Sequence, residues 1–173
     1  MKIHLLALFF VISLTAPAWA RLGETEAQLI ARYGDVIGKD HIAAGVGQVA
    51  VAVDRLHFKK SGFDISVALF NGVSAKEEIA NKQGDMLTDQ EIKTLLDANA
   101  QGHTWKGVTG PNGFPLWPQD NGMVVNANGK MWQRDDAAVA IADGGGFTIK
   151  SKELIDAEIA AYKAAHVHSL EGF

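Results

Sequence analysis

Apolar and polar residues alternate most regularly where Phe63, Ile65, Val67 and Leu69 are separated by Asp64, Ser66 and Ala68, the period of a strand with one buried face. Asn71-Gly72 then turns the chain. A two-residue loop would set Lys76 and Glu78 beside the apolar face, a poor register. The expected loop is therefore Phe70-Asn71-Gly72, with Gly72 left-handed in a bulge, which brings Val73, Ala75 and Ile79 onto the face of Phe63, Val67 and Leu69. Upstream, Gln48 to Lys59 is rich in β-branched residues and predicts a preceding strand, joined through Lys60-Ser61-Gly62. Two stretches are ambiguous: Val73 to Lys82, whose Lys-Glu-Glu also suits a helix, and the segment between Gly34 and Gln48.

Helical spacing appears three times. Thr25 and Gln28 have the arrangement of a capping box, Leu29, Ile30 and Tyr33 follow on one face, and Gly34 sits where a helix ends, so a helix is expected over 24–33. Thr88 and Glu91 repeat the device before Ile92, Leu95 and Leu96, predicting a helix over 88–99. The third helix, over 151–165, follows Ser151, with acidic residues early, Lys163 late, and Ile155, Ile159 and Tyr162 on one face.

From Lys106 to Asn121, six glycines and prolines exclude long regular elements. A second meander follows: Met123 to Ala127, a turn at Asn128-Gly129, Lys130 to Arg134, Ala137 to Ala142, a triple-glycine turn, and Phe147 to Lys150. That register sets Val125 opposite Trp132. The fold class is α+β, with short helices packed on antiparallel sheet from two meanders. Leu29, Ile30, Ile65, Val67, Leu69, Ile92, Leu95, Trp132 and Ile159 form the expected core.

The first twenty residues differ in kind. Lys2, the apolar run Leu5 to Leu14 and Ala18-Trp19-Ala20 make a three-part export signal cut before Arg21. The apolar run is about ten residues, too short for a span of roughly 20. This predicts a signal peptide over 1–20 and one α+β domain over 21–173, divisible into sub-units 21–83 and 84–173. The product belongs in the periplasm or outside the cell, without a membrane anchor after cleavage. Hydrophobic content of 47% in 173 residues suits a globular chain. The net charge of −4, more negative still once Lys2 is removed, gives no electrostatic reason to expect nucleic acid. The absence of cysteine excludes disulfides, thiol catalysis and cysteine-held metals.

Gly23-x-Thr25-x-x-x-Leu29-x-x-x-Tyr33-Gly34 resembles the helix signature of BamE/SmpA-type envelope proteins, and Thr88 looks like the start of a second, degenerate copy. β-Lactamase inhibitor proteins share that architecture of helical segments on antiparallel sheet, in tandem, so the resemblance implies a tandem arrangement and protein binding. The stretches Arg21 to Tyr33, Lys59 to Phe63 and Trp132 to Asp135 are similar to a group of small secreted bacterial proteins without an assigned activity. BamE-type proteins carry a lipid-bearing cysteine and usually a proline after the second glycine; here there is no cysteine, and Asp35-Val36 follows Gly34.

Motifs for chemistry are sparse. Gly45-x-Gly47-x-x-Ala50 precedes a β-branched run rather than a helix, so it does not read as a dinucleotide site. His166-Val167-His168 lies at the C-terminus with no third ligand assigned, and Asp135-Asp136 reads as a turn between Arg134 and Ala137. No serine lies in a nucleophile motif. No cofactor, metal site or catalytic residue is expected. The segment Gln101 to Asp120 is the candidate binding loop, with His103, Trp105, Phe114 and Trp117 among its glycines and prolines. Its aromatics either face a partner or pin the loop to the core. The expected function is a non-enzymatic module that binds an envelope or extracellular protein through this loop or the sheet face. The alternatives are a hydrolase using His103 or the Asp135-Asp136 region, and a small-ligand carrier.

Overall fold

The computed structural model describes residues 21–46, 49–108 and 129–166. Elements run in the order α1 (Glu26–Tyr33), β1 (Gly38–Val46), β2 (Val49–Lys60), β3 (Phe63–Phe70), β4 (Val73–Asn81), α2 (Asp89–Ala98), β5 (Trp105–Gly107), β6 (Lys130–Arg134), β7 (Val139–Asp143), β8 (Gly146–Lys150) and α3 (Lys152–His166). All eight strands form one antiparallel sheet in the order β1-β2-β3-β4-β8-β7-β6-β5. Each meander is preceded by a helix, and the meanders join through their last strands, β4 and β8. The α+β class and the three helices stand as expected from the sequence.

Both capping boxes form, with Thr25 and Thr88 each accepting from the backbone N–H three residues on. Leu29 and Tyr33 of α1 and Ile92, Leu95 and Leu96 of α2 pack on one face of the sheet, against Leu56, Phe58, Ile65, Val67, Ile79, Phe147 and Ile149. On the opposite face Leu154 of α3 meets Val53, Ala68 and Ala75, while Ile155 meets Met131 and Val139. Lys150 beneath α3 donates to both oxygens of Glu158 at 2.9 and 2.7 Å, so a buried ion pair fastens that helix. Among the described residues no helix is long and apolar enough to cross a membrane.

Several details differ from the sequence reading. The β3–β4 loop has two residues, Asn71 and Gly72, both left-handed with φ of 54° and 81°. Paired positive φ values match the twist of a tight hairpin, which the three-residue loop would forgo. The irregularity lies inside β4 instead: Leu69 faces Ser74 and Ala68 faces Lys76, leaving Ala75 as the extra residue. The bulge sends Ala75 to the α3 face and sets Ile79 opposite Ile65 and Glu77 opposite Val67, on the face of α1 and α2. Lys76 and Glu78 stay off the core face, as in the expected register, while Glu77 lies on it and is fully buried.

The ambiguous stretches are both strands, β1 and β4. Ile30 is 39% exposed rather than core, because α1 is short and presents only Leu29 and Tyr33 fully to the sheet. Trp132 and Ile159 are half-buried against their clusters. Trp132 lies between Ala140 of β7 and Gly107 of β5, so Gly107 occupies the position expected for Val125. The strand expected over Met123 to Ala127 falls outside the described residues, as do the leader, Val167 and His168.

Candidate functional site

Two turns meet at the far end of the second meander. After α2, Gln101 and Gly102 are left-handed with φ of 51° and 86° and redirect the chain through His103 and Thr104 into β5. The β6–β7 turn holds Asp135 and Asp136, with Ala137 at φ 69° and its N–H bonded to Arg134 O at 2.8 Å. Asp135 N–H donates to Thr104 O at 3.1 Å, and Thr104 N–H donates to Asp135 Oδ2 at 3.0 Å. This reciprocal pair sets His103 Nδ1 at 2.5 Å from Asp135 Oδ1 and His103 Nε2 at 3.8 Å from Asp136 Oδ2. Residues 32 positions apart thus form one exposed cluster.

Arg134, only 6% exposed, organises the base of this cluster. Its Nε and Nη2 grip both oxygens of Asp136 at 2.8 and 2.7 Å, while Nη1 donates to Asn99 O at 2.5 Å and Gln101 Oε1 at 3.1 Å. Gln101 Nε2 in turn donates to Leu22 O at 2.7 Å, tying the turn to the start of the described chain. The guanidinium carbon lies 5.5 Å from the centroid of the Trp105 ring, whose Nε1 donates to Leu96 O at 2.8 Å. The N–H of Thr104, then His103, hold Asp135 below its ordinary range; Arg134, then the N–H of Ala138, do the same for Asp136.

One atom each of His103, Asp135 and Asp136 lies within 4.8 Å of the others, a span compatible with a divalent cation. Every carboxylate oxygen involved already has a protein donor or the His103 ring against it: Arg134 on Asp136, Thr104 and His103 on Asp135. A cation would have to compete with a bidentate guanidinium, so the donor set is better suited to orienting an imidazole than to holding metal. An imidazole whose Nδ1 rests on a carboxylate is a general-base arrangement when the other nitrogen meets a substrate.

The four residues of the candidate loop part company. His103 is exposed in the cluster, Trp105 is half-buried and pinned through Leu96 and Arg134, and Phe114 and Trp117 lie outside the described residues. Sequence reasoning missed Arg134 and Gln101, although Arg134 shares the strand face of half-buried Trp132 by its period of two. It also missed the row His57, Ser66, Glu78 across β2, β3 and β4 on the α3 face. There His57 Nε2 lies 3.4 Å from Asp40, but the buried Ser66 Oγ has no hydrogen-bond partner, so the serine is not activated by the imidazole. Two adjoining depressions of about 130 and about 500 Å³ meet at Asp143–Gly146, and no aromatic residue lines either of them.

Comparison with known protein families, with curated proteins and with solved structures finds no match for this chain.

Proposed function

We propose that this protein is an exported, non-enzymatic binding module of the periplasm or exterior, and that its partner is a protein contributing an extended segment along β1. The observation that carries this is the asymmetry of the two sheet ends. Among the described residues the β5 end of the sheet is a strand of three residues, whereas β1 at the other end has nine. An end strand of that length presents a row of main-chain donors and acceptors that another chain can pair with. Its charges are engaged within the protein: Lys39 with Glu26 at 3.0 Å, Asp40 with Arg55 at 3.0 and 2.6 Å, and His41 with Asp54 at 3.0 Å. Beyond them the sequence Ile42-Ala43-Ala44-Gly45-Val46 carries no charge, and Ile37, just before the strand, is 57% exposed. The export signal and the BamE/SmpA-like helix signature support the envelope setting.

A photo-crosslinking residue placed at Lys39 or His41 in exporting cells tests this reading, with Lys93 on α2 as the remote control. One discrete adduct at β1 and none at Lys93 is expected. Adducts of equal yield at all three positions, or none at β1, would remove β1 as the interface. The second reading, a hydrolase, is favoured by the oriented His103–Asp135 pair. Hydrolysis of an envelope substrate that His103→Ala abolishes, with no β1 adduct, would transfer the function to that cluster.

A further inference from the structure

The geometry points to the α-amino group of Arg21, freed by removal of the leader, as the built-in counter-ion of buried Glu77. The export signal would therefore be cut at the bond that completes the core. This inference rests on the export reading above but concerns residues inside the folded domain.

The start of the described chain is fastened to β4. Gly23 N–H donates to Ser74 O at 2.8 Å and Ser74 N–H donates to Glu24 O at 2.7 Å. Ser74 Oγ donates to Arg21 O at 2.8 Å and accepts from Glu24 N–H at 3.0 Å. Leu22 is buried, and its carbonyl accepts from Gln101. These bonds place the nitrogen of Arg21 at 3.1 Å from Glu77 Oε1. The other carboxylate oxygen accepts from Tyr33 O–H at 3.2 Å.

With an amide at Arg21, both of these donors to Glu77 are neutral, and an isolated buried carboxylate is expensive. The charged groups facing it are Arg32 and Glu24, which bond each other; Tyr33 adds a titratable hydroxyl. Burial pushes Glu77 up to about 8. Cleavage after Ala20 changes one atom's chemistry in this setting: an uncharged N–H becomes an ammonium at hydrogen-bond distance from the carboxylate. The bulge at Ala75 leaves Ser74 where it binds the start of the described chain, and the leader's small-x-small site ends one residue before the nitrogen that meets Glu77.

The two forms differ in the sign of their pH dependence. In the chain with an amide at Arg21, the raised Glu77 holds a proton that the unfolded chain has lost above its ordinary 4.5, so stability falls as pH rises from about 4.5 towards about 8. In the mature chain the ammonium removes that fall. Paired with the Glu77 carboxylate, the ammonium is held above its ordinary ~7.7–8.0, so its contribution is lost as pH climbs through the raised value, and it is lost at the acid end as well, where Glu77 takes up its proton below about 4.5.

Intact mass of the exported protein should give a chain beginning at Arg21. That chain, or one released from a tag to begin at Arg21, is then melted beside a chain carrying one methionine before Arg21. The Arg21 form should melt about 5 °C or more higher near pH 7.5, with the gap closing at pH 4 and at strongly alkaline pH. Glu77→Gln should erase the gap. An exported terminus elsewhere overturns both the cleavage reading and this inference. A terminus at Arg21 with equal melting at every pH, or with a gap that survives Glu77→Gln, overturns the inference alone. Should Glu77→Gln not fold, the pH dependence of acylation at the Arg21 amine decides: a value above the ordinary range upholds the ion pair and an ordinary value refutes it.

Discussion

The two meanders follow one plan and bury opposite charges. Each begins with a helix opened by a threonine capping box and continues into four antiparallel strands. The strands of the first are nine, twelve, eight and nine residues long; those of the second are three, five, five and five. On the face covered by α1 and α2 the first half buries Glu77 and the second buries Arg134. Arg134 has a bidentate carboxylate, a backbone carbonyl and an amide oxygen. Glu77 has a phenol and one backbone nitrogen. A buried charge with a full set of partners acts as a clamp between turns, whereas one with neutral donors marks a place where a charge can be supplied later.

Breaking the clamp should give the largest effect. Arg134→Met leaves the carbonyl of Asn99 and the amide of Gln101 without their donor; Asp136, about a third exposed, is partly rehydrated. The expected loss is about 3 kcal/mol by urea denaturation, the lower end for a broken buried pair. Glu77→Gln in the chain that keeps a residue before Arg21 should cost only about 1 kcal/mol at pH 7, since the carboxyl is already held protonated there. Equal costs would make the two buried groups equivalent clamps and cancel the contrast. Next in size is Trp105→Ala, with an expected loss of about 2–3 kcal/mol, less than a fully buried tryptophan because the ring is half-buried. An unchanged urea midpoint would turn Trp105 from an anchor of the second half into a surface contact.

How far this contrast could be read in the sequence depends on the range of the interactions. Helix caps are local, so Thr25, Gln28, Thr88 and Glu91 announced both helices, and the period of two at Phe63 to Leu69 announced β3. The bulge is not local. Whether the extra residue falls in the loop or at Ala75 depends on how β4 packs between β3 and β8; either placement keeps Glu77 on the core face, but only the bulge at Ala75 turns that residue to α3 and leaves Ser74 on the side of Leu69, where it binds the start of the described chain. β1 escaped notice because Gly38-Lys39-Asp40-His41 has no apolar period; its charges pair across the strand and with α1 instead. Likewise His103 and Asp135 were each visible as candidates, but their contact requires the β5–β6 pairing, which joins Trp105 to Arg134. Asp135 and Asp136 do lie in a turn, and that turn is what aims them at His103.

The smallest expected effect separates the two helix caps. Thr25 Oγ accepts from Gln28 N–H at 3.4 Å and Thr88 Oγ from Glu91 N–H at 3.2 Å, so Thr25→Ala and Thr88→Ala should each cost about 1 kcal/mol at pH 7. The reciprocal residue differs, however: the neutral amide of Gln28 serves the first box, and the carboxylate of Glu91 accepts both the N–H and the hydroxyl of Thr88 at 2.7 Å in the second. Those bonds from Thr88, the N–H first, hold Glu91 below its ordinary 4.5. A lowered carboxyl contributes stability above its unfolded value and loses it as pH falls through the folded one. The cost of Thr88→Ala should therefore shrink as pH is lowered below the ordinary 4.5 of Glu91, while that of Thr25→Ala holds steady. Urea midpoints of both variants and the parent at pH 7 and pH 3 measure this. Two penalties that shrink together would show that the charge of Glu91 does not distinguish the caps.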